Sequence, residues 1–124
     1  MILDSDVIIE VLRGNSATIG WLRARSAAGI SMQYSPVSRA ETRAGSRKGE
    51  RATIGALFGS MTALSIEALT GEIAGEQLAK FAGSHGVQMG DALIAATALE
   101  RADELATFNR KHFPGVPRIV TPDR

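Results

Sequence analysis

The sequence predicts an α/β domain with a central, mainly parallel sheet of four to five short strands flanked by helices. Short apolar runs that stop at polar residues alternate with longer segments whose apolar residues recur at helical spacing. Helices follow most of the strands, which is the order of βαβ units with parallel strands. The length of 124 residues suits one domain, and no repeat or linker divides it, so we expect a single domain over residues 1–124.

Residues that start and stop helices divide the first half of the chain. Glycines follow the first two helical patterns at Gly14 and Gly29, and Ser35-Pro36 supplies an N-cap and a first-turn proline. Met1–Leu3 is an apolar strand that must end at Asp4. The predicted elements are a strand at 1–3, helices over 5–13 and 16–28, a strand at 30–34, and helices over 36–47 and 50–60.

The second half continues the alternation of strands and helices. Its predicted elements are a strand at 62–66, a long amphipathic helix over 67–84, an alanine-rich helix over 90–102, a strand at 104–108, a helical turn at 109–113 and a strand at 118–122. Pro117 and Pro122 flank the last strand. Proline cannot donate to a neighbouring strand, so this strand is expected at the edge of the sheet.

The composition excludes several classes of protein. The chain has 44% hydrophobic and 22% charged residues, as ordinary globular proteins do, and no cysteine for a disulfide or a thiolate zinc site. No apolar run reaches the ~18 residues of a membrane span, and acids at positions 4 and 6 do not suit a signal peptide. We therefore expect no membrane association and a cytoplasmic location. With a net charge of only +1, nucleic-acid binding would require local basic patches.

Four polar side chains are expected at the edge where parallel strands end, which is where such sheets bind ligands. Asp4 follows the first strand, and Glu41 lies in the second turn of the helix after the second strand. Asn109 follows a later strand, and Asp91 opens the alanine-rich helix. Crowded carboxylates repel each other, and Mg²⁺ or Mn²⁺ relieves that repulsion through oxygen ligands. The pattern predicts a metal site able to activate water for attack on a phosphodiester.

Each of these residues also has a simpler structural explanation. Asp4 can cap the first helix, and Glu41 can complete a capping box with Ser38. The acid of the alanine-rich helix suits the positive end of a helix dipole, and the asparagine can cap a helical turn. Because Ser35-Pro36 is the better helix start, the capping box would lie one turn inside the helix, where it gains nothing. A single site that accounts for all four residues competes with four separate explanations.

Three stretches carry most of these residues, namely ILDSDVIIEVL, SPVSRAETRAG and GDALIAATALERADELATFNRKHFPGV. Together they resemble the ordered motifs of PIN domains and, more narrowly, of the VapC-type toxins of bacterial toxin–antitoxin pairs. The resemblance extends over essentially the whole chain. It matches the three acids of the family to Asp4, Glu41 and Asp91, and the fourth position of the family site to Asn109.

The resemblance implies a PIN-like fold and a Mg²⁺- or Mn²⁺-dependent endoribonuclease that cuts structured RNA, commonly tRNA or rRNA. Asp4 and Asp91 would hold the metal, and Glu41 would complete the site or orient the attacking water. Thr107 matches a hydroxyl beside the family site, and Asp6 is expected to support or cap rather than to bind metal. The implied partners are an RNA substrate, a small antitoxin whose C-terminal segment crosses the active-site groove, and a second copy of the chain in a homodimer.

Basic residues near the predicted site are candidates for contact with RNA. Arg110 and Lys111 directly follow the site asparagine, so we expect them at substrate phosphates. His85 ends a helix and His112 lies in a basic turn, and both are predicted to be structural or surface residues.

A second basic group lies on the predicted helix over 36–47. Arg39, Arg43 and Arg47 recur every four residues and would form one stripe on it. Since Arg39 and Glu41 are two residues apart, they lie about 200° apart around the helix, so the stripe would flank the acids. It would bind RNA, bind the antitoxin or only face solvent, and Arg43 is the member predicted to contact substrate.

Two alternative functions remain at this point. A haloacid-dehalogenase-type phosphatase would use Asp4 as nucleophile and Asp6 as acid, but the late acidic pair, Asp103-Glu104, precedes a strand instead of following one. Such an enzyme would also leave Glu41 without a role. The other alternative is a catalytically inactive PIN-like module that binds RNA or protein.

Overall fold

The computed structural model describes residues 1–124 and contains a five-stranded sheet with six α-helices and a short 3₁₀ turn. The strands are β1 (Ile2–Leu3), β2 (Gln33–Tyr34), β3 (Thr62–Ala63), β4 (Leu105–Ala106) and β5 (Ile119–Val120). The helices are α1 (Ser5–Leu12), α2 (Ser16–Ala27), α3 (Pro36–Ala44), α4 (Arg51–Gly59), α5 (Ala68–His85) and α6 (Met89–Arg101), and the 3₁₀ turn is Arg110–His112. None of the helices combines the length and the apolar character that crossing a lipid bilayer requires.

All neighbouring strands are parallel, in the order β3-β2-β1-β4-β5. The predicted α/β fold with a mainly parallel sheet is confirmed, and β5 lies at an edge as its flanking prolines predict. The strands are shorter than predicted, since each pairs over only two residues. Parallel strands end at a common edge, so the residues that follow β1, β2 and β4 are brought together there.

The core lies on both faces of the sheet because neighbouring residues of a strand point to opposite sides. Leu3 packs in a cluster with Trp21 and Phe58, whereas Ile2 packs in a second cluster with Ile94 and other residues of α6 and β4. A third cluster joins α5 to α6 through small residues, mainly alanines. Burial of β1 from both faces fixes the position of the residue that follows it.

Helix α3 ends three residues earlier than predicted, and this corrects the predicted arginine stripe. Gly45 follows the last helical residue, and the hydroxyl of Ser46 donates to the carbonyl of Arg43 at 2.7 Å, which closes the helix end. Arg47 therefore lies in the loop between α3 and α4, where its backbone N–H donates to Glu50. Only Arg39 and Arg43 of the predicted stripe lie on the helix.

Candidate active site

Asp4 lies at the centre of the candidate site, directly after β1. It is buried, and one carboxylate oxygen accepts the backbone N–H of Ser5 at 2.8 Å while the other accepts the hydroxyl of Thr107 at 2.8 Å. The first bond is an N-cap of α1, so Asp4 does cap this helix, as the structural explanation predicts. The bond from fully buried Thr107 links this cap to the end of β4.

Glu41 reaches the same place from α3. Its Oε1 accepts the hydroxyl of Ser5 at 3.1 Å, and that hydroxyl also lies 3.5 Å from Oδ1 of Asp4. The Ser38 hydroxyl instead donates to a carbonyl of β1, so the alternative explanation of Glu41 as part of a capping box is wrong. A Cβ at Gly90 would lie 3.2 Å from Oε2 of Glu41, so the glycine gives this carboxylate room beside α6.

Asp91 and Asn109 complete a ring of contacts. Asp91 caps α6 by accepting the backbone N–H of Gln88 at 3.0 Å, and its Oδ2 lies 3.7 Å from Nδ1 of His112. The same imidazole nitrogen lies 2.6 Å from the side-chain amide nitrogen of Asn109, whose backbone N–H donates to the Thr107 hydroxyl at 3.0 Å. The ring runs through Asp4, Ser5, Glu41, Gly90, Asp91, His112, Asn109 and Thr107.

Three members of this ring, Ser5, Gly90 and His112, were not predicted at the site. Ser5 directly follows the first acid, and His112 lies three residues after Asn109, a spacing that brings side chains together in a 3₁₀ turn. His112 bridges Asp91 and Asn109, which fits the predicted structural role and places that role at the site. His85, by contrast, is exposed at the end of α5, as predicted.

Asp6 supports the loop that leads to Asn109. Its Oδ2 accepts the backbone N–H of Phe108 at 3.0 Å and lies 3.4 Å from the Thr107 hydroxyl. Its Oδ1 is buried without a hydrogen-bond partner. Burial raises the pKa of Asp6 in spite of these bonds.

Burial and mutual repulsion raise the pKa of two acids of the site. Burial, followed by repulsion from Asp6, raises the pKa of Asp4 from 3.8 to about 6, against the hydrogen bonds from Thr107 and Ser5. Desolvation raises the pKa of Glu41 as well, with a contribution from the charges of Asp4 and Asp91. No lysine or arginine forms an ion pair with any of these carboxylates.

This donor set fits a hard divalent cation in kind, since the acids offer only oxygen ligands. No three acidic or histidine side chains already surround one point. The fit is therefore to an ion that takes one or two carboxylates and keeps several waters, as Mg²⁺ often does. Each carboxylate oxygen of Asp4 already accepts one hydrogen bond and retains a second acceptor position.

The predicted substrate-binding residues are not all at the ring. Arg110 is exposed beside Asn109, and its guanidinium donates to the carbonyl of Ile119 at 3.3 Å. Lys111 is exposed and forms no ion pair. Arg43 does not join the acids, because it lines a cavity between α3 and α4.

The family model of the PIN domain matches residues 1–119, so the chain belongs to the PIN domain family. Within this class it is similar to ribonucleases VapC10 and VapC19 of Mycobacterium tuberculosis (strain ATCC 25618 / H37Rv). The identity to VapC10 is 35% over 123 residues, covering 98% of this chain and 92% of the relative. The identity to VapC19 is 30% over 122 residues, covering 98% of both chains.

Two solved structures have the same fold. One is DNA-bound VapBC from Salmonella typhimurium, with a TM-score of 0.79 and 22% identity over 97% of this chain and 96% of that chain. The other is VapBC2 from Rickettsia felis bound to a DNA fragment from their promoter, with a TM-score of 0.78 and 21% identity over the same shares. The predicted resemblance is confirmed, and the phosphatase alternative loses its basis.

Proposed function

We propose that this chain is a metal-dependent endoribonuclease of the VapC type, the toxin of a toxin–antitoxin pair, which hydrolyses phosphodiester bonds in structured RNA such as tRNA or rRNA. The observation that carries the proposal is the ring that joins Asp4, Glu41 and Asp91 from three separate segments, with no lysine or arginine paired to any of the three. Similarity to two proteins named ribonuclease VapC supports the type of reaction.

The residues of the ring have distinct roles in this proposal. Asp4 and Asp91 would hold Mg²⁺ or Mn²⁺, which supplies charge stabilisation and lowers the pKa of bound water. Glu41 would accept a proton from the attacking water through Oε2, since Ser5 donates to its other oxygen. Ser5 and Thr107 fix the carboxylate of Asp4 by donating to its two oxygens.

The other residues would hold the substrate and the loop that faces it. Asn109 would donate its side-chain amide to a phosphate oxygen, with His112 keeping that amide in place. Asp6 would keep the Phe108 backbone, and with it Asn109, at the site. Arg110 and Lys111 would contact neighbouring phosphates from their exposed positions.

The proposed protein partner is a small antitoxin whose C-terminal segment covers the acids. Its support is the likeness of fold to chains from structures named VapBC and toxin–antitoxin complexes. A homodimer, which the family resemblance implies, and a cytoplasmic location, which the composition favours, complete the proposal.

Cleavage of RNA by the purified chain tests this function. Total tRNA and rRNA would be incubated with the protein in Mn²⁺ and in EDTA, beside the variants Asp91→Asn and Glu100→Gln. Asp91→Asn keeps an acceptor for the α6 cap and removes a metal ligand, so we expect cleavage to fall about 100-fold or more. Glu100→Gln removes an exposed acid from the same helix and is expected to cleave as the wild type does.

Three outcomes would contradict the proposal. Undiminished cleavage in EDTA would mean that no divalent ion is needed. Binding of RNA without cleavage by folded protein in Mn²⁺ would favour the inactive PIN-like module. Release of phosphate from small phosphoesters, abolished by Asp4→Asn, would restore the phosphatase.

A further inference from the structure

The cavity between α3 and α4 has a volume of about 590 Å³ and is basic. Three arginines line it, and no acid does. Arg39 and Arg43 come from α3, and Arg51 is the first residue of α4. We call this feature the arginine cleft. Arg51, and not the predicted Arg47, is therefore the third arginine of this group.

The charges of the arginine cleft are not neutralised by the protein. The four ion pairs of the chain include none of its three arginines. Glu50, the acid next to Arg51, is already paired with Arg13 at 2.5 Å. Guanidinium groups that share a cleft repel one another, so an anion placed among them would be favoured over water.

One arginine of the cleft contacts two aromatic side chains. The guanidinium of Arg39 lies 3.4 Å from the hydroxyl of buried Tyr34 and 5.4 Å from the ring centre of Phe58. Arg43 has only a long contact, 3.5 Å, with the Ser46 hydroxyl, and Arg51 is exposed. Arg39 therefore has two aromatic neighbours, whereas neither Arg43 nor Arg51 has a cation–π contact.

The arginine cleft opens at the same edge of the sheet as the acids. Tyr34 and Ala63, which line it, are the last residues of β2 and β3. Strand β2 lies beside β1, whose end positions Asp4, and β3 lies on the other side of β2. The ends of β1 and β3 are therefore two strand spacings apart, which is about 10 Å. Helix α3 separates the two sites, with Glu41 on one side and Arg43 on the other. A polyanion lying along this edge would therefore contact both sites, whereas a small anion would occupy only one.

We propose that the arginine cleft binds a backbone phosphate of the substrate RNA, a few nucleotides from the bond that is cut. The proposal rests on the function proposed above, because an RNA whose reacting phosphate lies at Asp4 has to continue along the sheet edge. Guanidinium groups bind phosphate through paired hydrogen bonds, which would fix the register of the RNA. An acidic protein segment has no such reason to lie at both sites.

The test compares two double variants that remove the same charge. Arg43→Ala/Arg51→Ala removes the two arginines of the cleft that have no aromatic contact and leaves Arg39 with its aromatic partners. Arg23→Ala/Arg101→Ala removes two exposed arginines that do not line the cleft. Equilibrium binding to tRNA and the kcat and KM for cleavage would be measured for both across a range of salt concentrations. Unfolding curves would verify that both variants are folded.

We expect the cleft variant to bind tRNA about tenfold more weakly and to raise KM by the same factor, with kcat at saturation unchanged within about twofold. The slope of log Kd against log salt is expected to fall in magnitude by about 0.7 for one phosphate of a single strand. The control double variant is expected to change neither quantity by more than about twofold.

A phosphate scan with wild-type protein gives a second measurement that needs no variant to fold. Neutral methylphosphonates would replace single phosphates of an oligonucleotide that contains the mapped cleavage site. Substitution of one phosphate other than the one at the cut should weaken binding to the wild type. The same substitution should leave the already weaker binding of the cleft variant unchanged.

Equal RNA affinity and salt dependence in the two double variants would overturn the proposal. Loss of affinity for the partner protein alone, with RNA binding unchanged, would assign the cleft to the antitoxin and would overturn it too. Arginine-dependent RNA binding by a wild type that cuts no RNA would support the cleft while contradicting the proposed endoribonuclease. The two failures are therefore distinguishable.

Discussion

At the scale of single residues, Asp4 serves the fold and the candidate site together. Its Oδ1 caps α1, and its Oδ2 accepts the hydroxyl of Thr107 from the end of β4. The two explanations that the sequence left as competitors for Asp4 therefore hold at the same time. Serving both roles leaves the carboxylate of Asp4 buried, and desolvation and the charge of Asp6 raise its pKa to about 6.

Replacing Asp4 by asparagine is expected to stabilise the metal-free protein. The pKa of Asp4 is about 6 in the folded chain against an ordinary value of 3.8, so the folded state keeps a proton that the unfolded state releases. The stability that this bound proton contributes is fully present below pH 3.8 and is lost as the pH rises through about 6. The asparagine side chain would not titrate and would still accept the cap bond, so the gain should reach about 1–3 kcal/mol at pH 7.

Urea unfolding in EDTA at pH 4, 5.5 and 7 measures this difference. Asp123→Asn is a suitable control, because the side chain of Asp123 is exposed and forms no ion pair. The difference in stability between Asp4→Asn and the wild type should increase with pH, whereas the difference between Asp123→Asn and the wild type should not. A difference for Asp4→Asn that is constant from pH 4 to 7 would contradict the assignment of the raised pKa to Asp4.

At the scale of elements, local signals predicted helix starts better than strand lengths. Ser35-Pro36 starts α3 as predicted, because an N-cap hydroxyl and a first-turn proline act within a few residues. The end of α3 was predicted three residues too late, since the helix ends before Gly45 and the Ser46 hydroxyl donates to the carbonyl of Arg43. The strands were predicted too long, because pairing of parallel strands depends on partners that are distant in sequence.

The same distinction applies to the site. The acids could be predicted, since each follows a strand or lies near the start of a helix. The bond from Ser5 to Glu41 could not, because it joins residues 36 positions apart through the packing of α1 against α3. Contacts between helices of this kind follow from the assembled fold and leave no periodic pattern in the sequence.

The loop after the 3₁₀ turn is joined to α5 by a close contact between Gly115 and Gln77. A Cβ on Gly115 would lie 2.8 Å from the side-chain carbon Cδ of Gln77, which is buried. Gly115→Ala is therefore expected to lower the free energy of unfolding by about 1–3 kcal/mol, since the amide of Gln77 must move within a packed region. Thermal or urea unfolding gives the value.

Gly83→Ala provides the matched control for this substitution. Gly83 lies within α5 with nothing near its missing Cβ, so alanine there should be neutral or stabilising. In the double variant Gly115→Ala/Gln77→Ala, the penalty of the alanine at 115 should shrink, because the obstructing amide is gone. An undiminished penalty would place the origin of the destabilisation outside this contact.

At the scale of the whole molecule, the parallel sheet gathers distant segments at one edge. Thr107 and Asp4 are 103 positions apart in sequence and are joined by a hydrogen bond of 2.8 Å. Although the net charge is only +1, the charges at this edge are segregated: the acidic ring lies on one side of α3 and the arginine cleft on the other. That division suits a ligand that brings both a metal ion and a chain of phosphates.

Mn²⁺ is expected to stabilise the folded protein as a whole. The unfolded chain does not hold Asp4, Glu41 and Asp91 together, so an ion that binds them favours the folded state. The gain is about 2.7 kcal/mol when the ion is at 100 times its Kd, which raises Tm by on the order of 5–10 °C for a chain of this length. Thermal unfolding with increasing Mn²⁺ at pH 7.5 measures it.

Two comparisons show whether the stabilising ion is bound by the acidic ring. Asp91→Asn should lose most of the rise in Tm, whereas Glu100→Gln, on the same helix and away from the ring, should keep it. At pH 5 the rise should shrink in the wild type, because Asp4, with a pKa of about 6, then keeps the proton that a metal must displace. An equal rise in wild type and Asp91→Asn at pH 7.5 would mean that Mn²⁺ binds elsewhere on the protein, and the assignment of Asp91 as a metal ligand would then be wrong.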